Sequence, residues 1–95
     1  MYAVIRRYTG ASKLIDELTR KRADVEKLMT GVPGFVAYYA TRAGDGLTTV
    51  TVCNDKAGAE ESTRRAAGWV RENLAGVSMG APEVTGGEVF LDFKK

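Results

Sequence analysis

The sequence has no histidine and only one cysteine among its 95 residues. Without histidine the chain cannot form a Ser-His-Asp triad, a Cys-His pair or a histidine ligand to haem iron. A single cysteine, Cys53, cannot close an intramolecular disulfide or supply a zinc finger. It is expected to be a small buried apolar residue. These counts exclude most hydrolases and disulfide-stabilised secreted scaffolds, and they favour a reducing, cytoplasmic compartment.

The chain also lacks long apolar runs and a strong net charge. No apolar stretch approaches the ~20 residues of a membrane helix, and the first ten residues, MYAVIRRYTG, have no signal-peptide core. The 14 Lys+Arg and 12 Asp+Glu leave a net charge of +2. That value is too small to indicate nucleic acid or an anionic membrane as a partner. We expect a single globular domain over residues 1–95.

Periodicity and turn residues predict six elements in the order β-α-β-β-α-β. The predicted strands are residues 2–8, 34–42, 47–54 and 83–93, and the predicted helices are residues 11–30 and 56–75. Gly44-Asp45-Gly46 is typical of a hairpin turn, Asn54 or Asp55 of a helix N-cap, and Gly86-Gly87 of a bulge. This order predicts an α+β, ferredoxin-like fold, in which both helices cover one face of a four-stranded antiparallel sheet.

The second and fourth predicted strands are apolar on both faces. Strict alternation places Phe35 and Tyr38 on opposite faces, and the last strand carries Phe90 opposite Leu91 and Phe93. An open sheet face normally alternates apolar with polar residues. The sequence therefore predicts a second cover for the sheet, and the simplest cover is another copy of the chain in a two-fold homodimer.

Several local features follow one another along the chain. Pro33-Gly34-Phe35 starts the second strand, Tyr38 lies within it and Arg42 ends it. Asn54-Asp55 follows the Thr- and Val-rich third strand, and residues 64–74 form the helical segment RRAAGWVRENL. Together these residues resemble the dimeric α/β-barrel superfamily, and within it the antibiotic biosynthesis monooxygenase-like domains, over nearly the whole chain.

The resemblance implies a homodimer whose two sheets form a barrel, with a small cavity between sheet and helices in each subunit. Members include cofactor-independent monooxygenases of aromatic polyketide quinols, haem-degrading enzymes and lactone isomerases. In the polyketide enzymes, Trp, Asn and Tyr side chains orient and deprotonate the phenol, and the substrate supplies the electrons to oxygen. The resemblance thus implies that Trp69, Asn73 and Tyr38 are catalytic, that a small aromatic compound is the ligand, and that no cofactor is required.

The haem-degrading branch needs two residues that this sequence does not supply. One is a histidine that follows the helical tryptophan, where this chain has Met79. The other is an asparagine on the first strand, where this chain has Arg6 or Arg7. The resemblance therefore favours cofactor-free oxygenation over haem degradation.

The three catalytic candidates each have a structural alternative. Trp69 either stacks on a planar ligand or anchors the second helix in the core. Asn73, one helical turn later, either holds a phenol or carbonyl oxygen or closes the helix. Tyr38 either acts as a donor or a phenolic base, which requires a pKa below its ordinary value of about 10, or packs within the barrel.

Two further residues are candidates for substrate binding. Arg6 is a charge in the middle of a strand, where it either binds an anion or, as we expect, pairs with Glu88 or Asp92 across the sheet. Asn54 either contacts substrate or caps the second helix.

Two other function classes compete with the monooxygenase. The first is a non-catalytic small-molecule-binding or regulatory dimer, which the lack of histidine and of a paired acid and base favours. The second is RNA binding, because RNA-recognition domains share this element order. Their aromatic motif belongs on the third strand, however, and here GFVAYY lies on the second. The sequence therefore disfavours a nucleic-acid partner.

Overall fold

Four strands and three helices make up the fold in the computed structural model, which describes all residues from Met1 to Lys95. The strands are β1 (Tyr2–Tyr8), β2 (Phe35–Ala43), β3 (Gly46–Cys53) and β4 (Glu83–Glu88), and the helices are α1 (Ser12–Arg20), α2 (Arg22–Thr30) and α3 (Lys56–Asn73). The strands pair antiparallel in the order β2-β3-β1-β4. This confirms the ferredoxin-like α+β fold.

The predicted helix over residues 11–30 is in fact two helices that meet at Lys21. The backbone of Lys21 leaves the helical region, with φ −108° and ψ 33°. The apolar residues keep their helical spacing across this position, which is why the sequence indicated one helix. No glycine or proline marks the break. The Lys21 side chain is instead held by a residue of another helix. Its Nζ donates to Oδ1 of Asn73, at the end of α3, over 2.6 Å.

The bulge predicted at Gly86-Gly87 in the last strand is absent, and the sheet is irregular in β2 instead. Gly86 and Gly87 pair in continuous register with β1, whereas β2 has an irregularity between Phe35 and Ala37. The irregularity changes the alternation of β2, so that Phe35 and Tyr38 pair with Cys53 and Thr51 of β3 and share the helix-covered face. The expectation that Phe35 and Tyr38 lie on opposite faces was therefore wrong.

The last strand is shorter than predicted and ends at Glu88, not at residue 93. Its partner β1 begins at Tyr2, and the last backbone bond of this ladder joins the Val89 N–H to the Met1 carbonyl over 3.0 Å. The residues that follow have no neighbouring strand in the subunit. Phe90 and Phe93 are 88% and 87% exposed, respectively.

The core lies between the sheet and the helices. Alternate residues of β1 and β3 point into it, and the central cluster comprises Tyr8, Ala11, Leu14, Leu47 and Leu74. The start of α3 lies almost on the sheet at Gly58, where an added Cβ would come within 2.6 Å of the Pro33 carbonyl oxygen. Asp55, rather than Asn54, caps this helix, because its side chain accepts a hydrogen bond from the Gly58 N–H.

None of the three helices combines the length and the apolar character that crossing a bilayer requires.

Candidate functional site

A cleft, here called the outer groove, lies between β2 and the pair α1 and α2. Its volume is about 720 Å³, which is within the usual range for small-molecule sites. Its apolar lining includes Leu18, Val25, Met29, Phe35, Tyr38 and Tyr39, and its polar lining comprises Thr19, Arg22, Glu26 and Thr30. Because the helices on both sides of the Lys21 break line this groove, the break shapes its wall.

A second space, here called the inner cavity, lies deeper between the sheet and the helices. Its volume is about 20 Å³, which is room for about one water molecule. It shares four lining residues with the outer groove, namely Leu18, Val25, Met29 and Tyr38. Arg6, Tyr8, Thr49 and Trp69 also line it, and no carboxylate does. The two spaces therefore adjoin one another, with Tyr38 between them.

The Arg6 guanidinium is the only cation on the inner cavity, and its residue is 1% exposed. Four hydroxyl groups surround it. Nε donates to Thr49 Oγ1 over 3.2 Å, Nη2 to Thr51 Oγ1 over 2.6 Å, and Nη1 to Ser62 Oγ and Thr63 Oγ1 over 3.3 and 2.9 Å. Two of these hydroxyls come from β3 and two from α3, so the arginine joins the sheet to the helix that covers it.

The expected pairing of Arg6 with Glu88 or Asp92 is wrong. In the β1–β4 register Glu88 lies opposite Tyr2, and Asp92 lies beyond the strand, where it pairs with Lys94. None of the chain's six ion pairs includes Arg6. The neighbouring Arg7, on the other face of β1, pairs with Glu83 instead.

Burial shifts the pKa of each titratable group around Arg6. Desolvation lowers the pKa of Arg6 below its ordinary value, while the nearby Tyr8, Tyr38 and Cys53 oppose that shift. Desolvation also raises the pKa of Tyr8 and of Tyr38 above 10.0, and the charge of Arg6 offsets part of each rise. At neutral pH the site therefore holds a charged guanidinium and two neutral phenols, and Tyr38 does not have the lowered pKa that a phenolic base requires.

Trp69 and Tyr38 converge on the inner cavity with Arg6. Trp69 is half-buried and also packs against the central core cluster. The indole thus packs against the core and also lines the cavity.

Asn73 and Asn54 do not join this group. The Asn73 amide donates through Nδ2 to the Trp69 carbonyl over 2.9 Å and accepts through Oδ1 from Lys21, so it closes α3 and holds the helix break. Asn54 is exposed beside the start of α3, and its N–H donates to the Gly34 carbonyl over 2.8 Å. Neither side chain lines the outer groove or the inner cavity.

Sequence reasoning missed the hydroxyl groups that hold Arg6 and the second tyrosine of the cavity, Tyr8. One signal was present in β3, whose alternation places Leu47, Thr49, Thr51 and Cys53 on a single face. Two threonines among apolar residues on a buried face indicate a buried polar partner, because buried hydroxyls are almost always hydrogen-bonded. The serine and threonine of α3 carry no comparable signal.

Solved structures match the chain, although no family model and no curated protein does. One is a protein of unknown function, NE2512 from Nitrosomonas europaea, at 18% identity and a TM-score of 0.74 over 99% of this chain and 93% of that one. Another is a monooxygenase of Streptomyces coelicolor, from the gene ActVA-Orf6, in complex with nanaomycin D, at 13% identity and 0.68 over 99% and 91%. A third is the haem degrader MhuD of Mycobacterium tuberculosis with two haems bound in its active site, at 15% identity and 0.68 over 99% and 100%.

At these identities the likeness establishes the fold. The chain has a ferredoxin-like α+β fold similar to that of these three proteins. This confirms the fold that the resemblance in the sequence implied. Because the neighbours include both a monooxygenase and a haem degrader, the activity has to be argued from the site itself.

Proposed function

We propose that this chain is a cofactor-independent monooxygenase that oxidises a small aromatic or quinoid compound. The observation that carries the proposal is the meeting of a guanidinium, a phenol and an indole at a carboxylate-free inner cavity beside a groove of about 720 Å³. The fold shared with a monooxygenase of Streptomyces coelicolor supports it. The chain's lack of histidine favours this activity over haem degradation.

Each of the three side chains has a defined task in such a reaction. The indole of Trp69 forms an apolar wall of the inner cavity and contacts the part of the substrate that enters it. The Tyr38 hydroxyl donates a hydrogen bond to a ring oxygen, since its phenol is neutral at pH 7. Arg6 stabilises the negative charge that develops on that oxygen when the substrate loses its proton.

The substrate supplies the electrons. For an anthrone-type methylene the overall change is CH₂ + O₂ → C=O + H₂O, in which the ring carbon is oxidised and dioxygen is reduced. The inner cavity contains no histidine or carboxylate, and burial raises the pKa of both of its phenols. The substrate therefore ionises because its anion is stabilised, and its proton leaves to water in the open groove.

Oxygen uptake with hydroxynaphthalene and anthrone-type substrates tests this function. We expect uptake above the buffer rate, and a loss of at least about tenfold in Tyr38→Phe, because a hydrogen bond to a charged oxygen contributes about 1.5–3 kcal/mol. Trp69→Phe should lower the rate as well. Tyr2→Phe is the matched control, since Tyr2 lines neither the groove nor the inner cavity. Uptake at the buffer rate with every substrate would contradict the proposal.

The second candidate is a small-molecule-binding dimer without catalysis, which the absence of a base in the inner cavity favours. It predicts that an aromatic ligand raises the melting temperature of the protein and is recovered unchanged under air. Recovery of an oxidised ligand would contradict it.

Both functions include a homodimer in the cytoplasm. The exposed Phe90, Leu91 and Phe93 lie beyond the end of the subunit's own sheet. The face of the sheet that the helices leave open carries the half-buried Ile5 and Val50. A second copy would cover these apolar groups. The single, buried Cys53 fits a reducing compartment.

A further inference from the structure

No acidic group of the chain neutralises the charge of the buried Arg6 guanidinium. Its partners are four hydroxyl oxygens, and none of the chain's ion pairs includes it. A guanidinium has five N–H groups. The Nε N–H donates to Thr49, the two N–H groups of Nη1 donate to Ser62 and Thr63, and one N–H of Nη2 donates to Thr51. One N–H on Nη2 is therefore left to donate.

The groups around Arg6 cannot supply a negative charge at neutral pH. The titratable neighbours are Tyr8 on β1, Tyr38 on β2 and Cys53 on β3, and burial raises the pKa of all three. From α3 only hydroxyls reach the guanidinium. Hydroxyls satisfy N–H donors but leave the charge in place, and a buried charge without a counter-ion is costly. An anionic ligand would therefore stabilise this site more than a neutral one.

The size of the inner cavity decides which anion fits. About 20 Å³ holds one water-sized group. A single ring oxygen fits that space while the ring stays in the outer groove. A carboxylate, with a carbon and two oxygens, needs more room than a single ring oxygen.

We propose that this site recognises its aromatic ligand as the oxyanion, with an ionised phenol or enol oxygen placed in the inner cavity against Arg6. This inference names the substrate class of the proposed function and rests on it for the location of the site. The reacting compound is then an acidic phenol or enol that arrives ionised or ionises on binding. Arg6 is the residue that selects it.

Calorimetric titration near pH 7 tests the proposal with hydroxynaphthoquinone, which is ionised there, and with its uncharged methyl ether. We expect the anion to bind at least about tenfold more tightly, the difference made by one ionic hydrogen bond. Arg6→Gln should bring the two affinities together. Arg7→Gln is the control and should leave the preference intact, because Arg7 is exposed on the other face of β1 and pairs with Glu83.

Arg6→Gln removes a buried side chain that joins the sheet to α3 and is expected to weaken folding, so the wild-type protein provides a second measurement. Naphthol absorbs differently as phenol and as phenolate, and its pKa should fall on binding by about one unit or more. Equal affinity for anion and ether, an unchanged naphthol pKa, no binding of either quinone, or tighter binding of naphthoate than of the hydroxyquinone would each overturn the proposal.

Binding and turnover separate this inference from the function on which it rests. A preference for the anion without oxygen uptake would contradict the monooxygenase and leave the oxyanion site standing. Oxygen uptake that persists undiminished in a folded Arg6→Gln variant, with no preference for the anion, would support the monooxygenase and overturn the role of Arg6.

Discussion

Burial beside a cation determines how the two tyrosines of the site ionise. The pKa of Tyr38 and the pKa of Tyr8 are both raised, chiefly by desolvation, and the Arg6 charge reduces the rise. In the unfolded chain neither phenol has this environment. The free energy of unfolding therefore depends on pH in the alkaline range where these two phenols ionise.

The stability of the protein should fall as the pH rises above about 10. A phenol whose pKa is higher in the folded state stays protonated there after it has ionised in the unfolded chain, so the unfolded state gains stability as pH passes the unfolded value. The contribution is fully present below pH 10 and is lost as pH rises through the folded pKa. Urea unfolding at several pH values in this range should show that the free energy of unfolding depends less on pH in the double variant Tyr8→Phe/Tyr38→Phe than in the wild type. The same dependence in both proteins would contradict the assignment.

Two glycines of α3 should respond in opposite ways to the same substitution. A Cβ at Gly58 would meet the Pro33 carbonyl oxygen at 2.6 Å and the Cys53 Cβ at 3.0 Å. Gly58→Ala should therefore cost about 1–3 kcal/mol through overpacking. At Gly68 the nearest atom is Arg71 Nη2 at 3.7 Å, so Gly68→Ala should stabilise the helix by about 0.5–1 kcal/mol. Chemical denaturation measures both, and a Gly58→Ala variant at least as stable as the wild type would contradict the close packing.

Among single residues, the sequence indicated that Arg6 is unusual but did not predict its hydrogen-bond partners. Arg6 stood out because it is a charge in the middle of a strand. Its partners depend on the β1–β3 register and on the helix that crosses above it, and neither is encoded near residue 6. Trp69 and Tyr38 were predicted as site residues, and the structure brings both to the inner cavity.

The contact between Lys21 and Asn73 connects the helix break to the end of α3. Lys21 Nζ also lies 3.5 Å from Glu17, so the break is fixed from two sides. Since α1 and α2 both line the outer groove, this contact sets the relative position of the two helices that form one wall of the groove.

Asn73→Ala should destabilise the protein by about 1 kcal/mol, because it removes the bonds to Lys21 and to the Trp69 carbonyl. Glu72→Ala is the matched control, as an exposed neighbour expected to stay within about 0.5 kcal/mol of the wild type. Urea denaturation compares the two. Equal stabilities would show that the contact does not hold the break.

The elements themselves were largely predictable, and their irregularities were not. Alternation, helical periodicity and the Gly44-Asp45-Gly46 turn gave the order of strands and helices. The break at Lys21 has no glycine or proline to mark it, and the Pro33-Gly34 pair before Phe35 indicated the start of a strand rather than an irregular step within it. The break is held by a contact with the distant Asn73, and the irregular step turns Tyr38 toward the helices.

For the whole molecule, the apolar C-terminal segment predicts association. Phe90, Leu91 and Phe93 are 88%, 61% and 87% exposed in the isolated subunit. Burial of such side chains stabilises by about 1.5–3 kcal/mol each. We therefore expect the wild-type chain to be a dimer at micromolar concentration, as determined by light scattering.

Replacing the two phenylalanines should shift this equilibrium to the monomer. Phe90→Ser/Phe93→Ser removes the apolar groups. The control Lys94→Ser/Lys95→Ser changes the same segment but keeps both phenylalanines, and it should remain dimeric. A monomeric wild-type chain would contradict the dimer.

The fluorescence of Trp69 tests the central claim most directly, because it is the only tryptophan in the chain and lines the inner cavity. Titration with hydroxynaphthoquinone, with free tryptophan as the reference for light absorption by the ligand, should give saturable quenching at a much lower concentration than titration with the methyl ether. Quenching that does not saturate, or that is the same for both compounds, would show that the cavity beside Arg6 is not where an aromatic anion binds.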